Sequence, residues 1–270
     1  MPVLSPAFTL VEMLVVISII GLLAAIAIPT INSMRPNPVV AATRQLLDDV
    51  GRARQLAISQ RTTVYMVFIS TNLSDSFMNA HPSPSAADQA MVTNLFDKQL
   101  TGYTFVSLRS IGDQPGQGTP RYLAGWRTLP QGAYIAQEKF SNPTNVVLNI
   151  YTNDALNHPL LAFSVFGFNA ANNIPFPFET NSTSSSWISL PYVAFNGLGQ
   201  CISGPNGQPE LIPLTQGSLL FPRDPSTRVA QAGIPQFIES PPGNATNNNY
   251  SLVSIDALTG RAHIEYKQVQ

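Results

Sequence analysis

Charge is scarce in this chain: Asp, Glu, Lys and Arg make up 11% of its 270 residues, against roughly 25% in ordinary soluble proteins. Asn, Ser, Thr, Gln, Pro and Gly fill the polar surface instead, a pattern that suits an extracytoplasmic β domain with long polar loops. The formal net charge is -1. That argues against a protein built to coat nucleic acid, because such binding draws on clustered Lys and Arg to displace counterions. Cysteine occurs once, as Cys201, so no intramolecular disulfide and no thiolate metal cluster can form, and packing must hold the core. Cys201 is expected to be a small buried apolar residue.

Catalytic signatures are missing as well. His81, His158 and His263 are the only histidines, and two of them directly precede Pro. None has a second ligand at the helical spacing of a zinc motif, and neither a nucleophile elbow nor a phosphate-cradling glycine loop occurs. Asp48 and Asp49 are adjacent, so on a helix they diverge by about 100° and cannot face each other across a substrate. The sequence therefore predicts no enzyme, no cofactor, no metal site and no small-molecule substrate.

What the chain does have is a long apolar run. Leu10 to Ile28 reads LVEMLVVISIIGLLAAIAI, 19 residues with a single charge, Glu12. As a helix it spans roughly 28 Å, close to the ~30 Å hydrocarbon thickness of a bilayer, and it predicts a membrane span. No small-residue cleavage site follows it, as a secretory signal peptide would require. An acidic side chain at the centre of a span costs about 2.5 to 3.5 kcal/mol. Near the mouth of the span the cost is lower, and the carboxylate can neutralise an amino group brought close in a neighbouring copy.

Ala7-Phe8-Thr9-Leu10-Val11-Glu12 resembles the prepilin peptidase site of type IV pilins and type II secretion pseudopilins. In that family a leader is cut just before a Phe, the new amino group is N-methylated, and a Glu stands at the fifth mature position; counting from Phe8, the fifth residue is Glu12. Gly21 within the span and Pro29 at its end also match. The resemblance implies cleavage between Ala7 and Phe8, methylation of Phe8, assembly through Glu12 and a helix kink at Pro29. Met1 to Ala7 carries no Lys or Arg, Ala7 stands where the family usually has Gly, and Arg35 and Arg44 fall on the side assigned to the exterior.

Beyond the span, Pro29, Pro36 and Pro38 predict an interruption. A second helix then fits Val39 to about Ser59, with Val39, Thr43, Leu46, Val50, Ala53 and Ala57 on one face. Arg44, Asp48, Asp49, Arg52 and Arg54 are expected on a solvated face. Strands are expected over Thr62–Ser70, Tyr103–Leu108, Val146–Tyr151, Leu160–Phe168, Trp187–Phe195, Ser251–Ile255 and Ala262–Tyr266, the last two forming a hairpin. Polar loops are expected over Asn72–Gln89, Gly112–Pro120, Asn169–Ser186, Ser203–Pro209 and Asn244–Asn249.

Leu46 to Ser59, Thr63 to Phe68, Val193 to Gly199 and Ile255 to Ile264 further resemble successive landmarks of GspH/FimT-type minor pseudopilins, including a closing Thr259-Gly260-Arg261 hairpin. This implies an α+β, pilin-like fold, with a long N-terminal transmembrane and amphipathic helix packed on an antiparallel β-rich head. The divisions are a leader over 1–7, a transmembrane and assembly helix over 8–30, a kinked linker and amphipathic helix over 31–60, and a globular domain over 61–270. The implied role is a non-enzymatic minor pilin or pseudopilin subunit in the bacterial inner membrane, single-pass, with its C-terminal domain periplasmic or extracellular. Its implied partners are prepilin peptidase and sister subunits. Two alternatives remain: a competence-type minor pilin touching DNA through the local cluster Arg52, Arg54 and Arg61, or a membrane-anchored extracytoplasmic binding domain.

Overall fold

The computed structural model describes residues 10–33, 37–114, 116–141, 145–153, 159–176, 186–240, 242 and 250–265. Two compact units result, Met1–Asn37 and Pro38–Gln270. The first holds α1, Leu10–Ser33, which continues past Pro29.

The second unit begins with α2, Pro38–Gln60, which buries Val39, Ala42, Thr43, Leu46, Val50, Ala53 and Ala57. This stripe at three- and four-residue spacing lies against two antiparallel sheets. In the first, β1 (Val64–Phe68), β2 (Gly102–Ser107), β3 (Arg121–Tyr122) and β4 (Arg127–Thr128) join β10 (Tyr192–Phe195), in the order β10-β1-β2-β3, with β4 also on β2. In the second, β5 (Ala133–Ile135) and β11 (Glu210–Leu220) join β12 (Gln236–Glu239), β13 (Ser251–Ile255) and β14 (Ala262–Glu265), in the order β12-β11-β13-β14, with β5 also on β11. Helix α2 touches β1 and β10 of one sheet and β5, β11, β13 and β14 of the other. The largest core cluster forms there, around Leu46, Phe68, Tyr103, Phe105, Phe195, Ile212 and Val253. Truncating a fully buried Leu46 to Ala would cost about 2 to 5 kcal/mol.

The first sheet is buried on both faces, which is why β1 reads as a continuous apolar run rather than an alternation. Val64, Met66 and Phe68 face the α2 side. Tyr65 and Val67 face a second cluster with α3 (Leu73–Ala80), α4 (Ala86–Thr93) and the ribbon of β8 (Asn173–Phe176) and β9 (Ser186–Ser189). A second ribbon, β6 (Val146–Asn153) with β7 (Pro159–Phe166), contributes Ile150 and Val165 to a third cluster with Leu211 and Leu252 of the second sheet.

Four expectations need correction. Asn169–Ser186 is not loop throughout: Asn173–Phe176 forms β8, paired antiparallel with β9. Asn72–Gln89 is not an irregular loop but holds α3 and the start of α4. Leu73 and Phe77 are buried one turn apart, and Ser85 caps α4 by accepting from the Asp88 N–H at 3.2 Å. Trp187–Phe195 is not one strand: Leu190-Pro191 divides it into β9 and β10, which belong to different sheets. The longest strand, β11, is unmarked in the sequence because Pro213 interrupts its pattern. The Pro213 carbonyl accepts from Ala136 N at 3.0 Å on the β5 side. A residue's N–H and C=O point the same way in a strand, so the missing donor faces beyond the end of β5 and not into the β11–β13 ladder. The expected loop Asn244–Asn249 lies outside the described residues.

Candidate functional site: the N-terminal helix and the α2 surface

Ala7 and Phe8 lie outside the described residues. Glu12 stands in the first turn of α1, where a carboxylate is favoured by the positive end of the helix dipole. Around it the helix is apolar on every side and exposed: Leu10 is 82% exposed and Leu22 66%. Ser18 turns its hydroxyl inward, donating to the Leu14 carbonyl at 2.8 Å, so it presents no unsatisfied donor to its surroundings. A helix without a polar face needs an apolar environment. Side chains of α1 are described over residues 10–23, about 21 Å of helix, and among the described residues no helix is long and apolar enough to cross a membrane. Pro29 falls within α1.

The three arginines singled out in the sequence are held in three different ways. Arg52 is exposed and holds its guanidinium carbon 5.9 Å from the Phe105 ring centroid. Arg54 is half-buried and donates through Nε to the carbonyls of Gly199 at 3.2 Å and Thr259 at 2.7 Å. Arg61 ends α2 in a left-handed conformation, φ 51°. Its N–H bonds to Ile58 O and that of Thr62 to Ala57 O, each at 3.2 Å, the reciprocal pair of a Schellman cap. Arg52 and Arg61 are thus exposed, Arg54 binds two loops, and the backbone of Arg61 closes a helix.

Asp49 is the correction on this helix. Instead of lying on a solvated face it is 3% exposed. It accepts from Tyr103 Oη and from Arg127 Nη1, each at 2.5 Å. Gln45 Nε2 donates to Tyr103 Oη at 2.7 Å and to the Thr128 carbonyl at 2.8 Å. Burial, with Asp49 beside it, pushes the Tyr103 phenol up, so it stays a donor. This network joins α2 to β2 and β4.

Lys139 and Glu210, missed by sequence reasoning, form a fully buried ion pair. Lys139 also donates to the Phe166 carbonyl at 2.7 Å and sits 4.6 Å from the Phe168 ring centroid. Burial pulls the Lys139 ammonium down and pushes the Glu210 carboxyl up, each opposed by the other's charge. The available signal was local: Glu210 directly precedes the apolar stretch Leu211 to Leu214. Cys201 is buried, its thiol pushed up by burial. His81 lies 3.9 Å from Asp88 and His263 2.8 Å from Glu265, while His158 is outside the described residues. Among the described residues no three His, Cys, Asp or Glu side chains group as metal ligands.

No curated protein and no solved structure matches this chain. Residues 6–28 match the family profile described as the prokaryotic N-terminal methylation motif. This type IV pilin-like prepilin signal implies processing by prepilin peptidase and assembly with other pilins, and so points to a pilin- or pseudopilin-like subunit.

Proposed function

We propose that this protein is a minor subunit of a type II secretion pseudopilus or a type IV pilus, of GspH/FimT type, with no catalytic role. Prepilin peptidase cuts between Ala7 and Phe8, the Phe8 amino group is methylated, and α1 holds the chain in the inner membrane until assembly. Pro29 bends this helix where it leaves the membrane, and the unit from Pro38 onward lies on the outer side. Glu12 then pairs with the Phe8 amine of a neighbouring subunit, which offsets the cost of a carboxylate among lipid tails. The observation that carries this reading is the exposed, all-round apolar surface of α1 with its one acid in the first turn, beneath a methylation motif.

The sequence landmarks behind the GspH/FimT resemblance also meet in space. Leu46 to Ser59 lies in α2, and Arg54 from that segment bonds both the Gly199 loop and the Thr259 hairpin. A DNA-binding role has less support, because the Arg54 guanidinium is engaged with these two carbonyls and the chain carries a formal net charge of -1.

Co-expression with prepilin peptidase and sister subunits tests the proposal. Mass spectrometry of the mature chain should find an N-methylated Phe8 at its start. Glu12→Ala should leave membrane insertion intact and abolish co-purification with sister subunits. A chain still beginning at Met1, or normal incorporation of the Glu12 variant, would sink it.

A further inference from the structure

Beside the outer end of β11 the second sheet has an open place. Gly217 N donates to the Gly132 carbonyl at 3.0 Å, so the odd-numbered residues of β11 point their backbone groups to the β5 side. Ser240 N on the Gln216 carbonyl at 3.1 Å marks the even-numbered ones as pointing to β12. The β5 register stops at Ala133, opposite Gln216. There a turn, closed by Ala133 N on the Pro130 carbonyl at 3.3 Å with Gly132 at φ 91°, takes the chain off the edge. The N–H and C=O of Leu219 therefore point away from β12, and among the described residues no strand pairs with them. They border a cavity of about 550 Å³, walled by Leu129, Pro130, Leu219 and Phe221. Three charged residues also line it. Lys98 Nζ is bound to Asp97 Oδ1 at 3.1 Å, and Arg223 gives one guanidinium nitrogen to the Arg228 carbonyl at 3.0 Å. Arg223 is exposed, and among the described residues no carboxylate pairs with it. The cavity wall is thus net positive.

We propose that an extended peptide segment of another protein, carrying an acidic side chain, binds in this cavity as an added strand on the free edge of β11. Unpaired strand edges template such pairing. Backbone bonds then supply affinity, and side-chain pockets supply selection. The volume falls within the range of ligand pockets, and the edge from Gly217 to Phe221 runs about 14 Å, room for about four or five residues of guest. Leu219 is the central contact, giving its N–H and C=O to the backbone of the guest. The apolar wall takes guest side chains, and Arg223 takes the carboxylate. A segment with Lys in place of the acid meets Arg223 as a like charge and is disfavoured.

The test applies the full chain in detergent to an array of octapeptides of alternating Val and Thr in which one position is Glu, Lys or Ala. Peptides with Glu should bind about tenfold more tightly than their Lys counterparts, and Arg223→Glu should reverse that order. Hydrogen exchange gives a second readout: the Leu219 amide, unbonded in the free protein, should be slowed by bound peptide. Leu219→Pro removes this donor without breaking a bond of the fold and should weaken binding about tenfold. The exchange and Arg223→Glu readouts stand even where the proline variant does not fold. Failure of every peptide to bind, equal binding of the Glu and Lys series, or a Leu219 amide unaffected by peptide would each overturn the proposal. So would Leu219 protection that grows with protein concentration and no peptide, which would mean a second copy in the cavity.

Discussion

Arg54 Nε donates to the Thr259 carbonyl at 2.7 Å across 205 residues of chain. The same nitrogen reaches the Gly199 carbonyl. Directly beneath, Gly260 has φ 62° and approaches Gly199 so closely that a Cβ there would stand 2.0 Å from the Gly199 oxygen. Helix α2, the loop after β10 and the closing hairpin are therefore fastened at one point.

Arg54→Ala removes both bonds and is expected to destabilise the unit by about 1 to 2 kcal/mol. For a domain of this size that lowers the melting temperature by about 2 to 4 °C per kcal/mol. Gly260→Ala, which meets backbone and a positive φ, should be worse than Arg54→Ala in the same thermal denaturation experiment.

The Lys139–Glu210 pair separates single from double replacements. Lys139→Met leaves a buried carboxylate alone, a change of about 3 to 5 kcal/mol at neutral pH. Its pH dependence has a definite sign. Burial already raises the Glu210 carboxyl and Lys139 opposes that rise, so without the lysine the folded-state value climbs further. A group raised on folding contributes stability below its unfolded pKa and loses it as pH rises through the folded pKa. Urea unfolding of Lys139→Met should accordingly be closest to wild type in mild acid and fall away toward neutrality. Lys139→Met/Glu210→Leu should recover most of the loss and show no such slope.

Asp49 holds two partners. Asp49→Ala leaves the buried Tyr103 hydroxyl without its acceptor, though Gln45 still donates to it, and frees Arg127, for an expected loss of about 1 to 3 kcal/mol. Tyr103→Phe in that background should cost less than it does alone, because the coupling has already gone; a double-mutant cycle measures this.

Arg61→Gly is expected to stabilise the protein, since a left-handed L-residue carries about 1 to 2 kcal/mol of strain that glycine lacks. The greater freedom of glycine in the unfolded chain offsets part of this, leaving a gain of a few tenths to about 1 kcal/mol by denaturant titration. An unchanged DNA mobility for this variant, across salt, would also remove Arg61 from any nucleic-acid role.

By itself the sequence determined whatever depends on neighbours along the chain. The apolar run with Glu12 at its mouth, the three-to-four spacing of the α2 stripe, and the β13–β14 hairpin with Gly260 are local patterns, and local patterns set helix amphipathicity and turns. Strand β11 and helices α3 and α4 were less legible: Pro213 is tolerated only because β5 ends beside it, and α3 presents few apolar residues per turn. The long-range pairs were decided by the tertiary structure alone. Asp49 reads as one more charge on an exposed face until β2 and β4 bring Tyr103 and Arg127 to it, and Lys139 meets Glu210 only when β11 crosses beneath the turn after β5. Both have the same origin, because burial and partnership belong to the packed chain, where residues distant in sequence share one low-dielectric space.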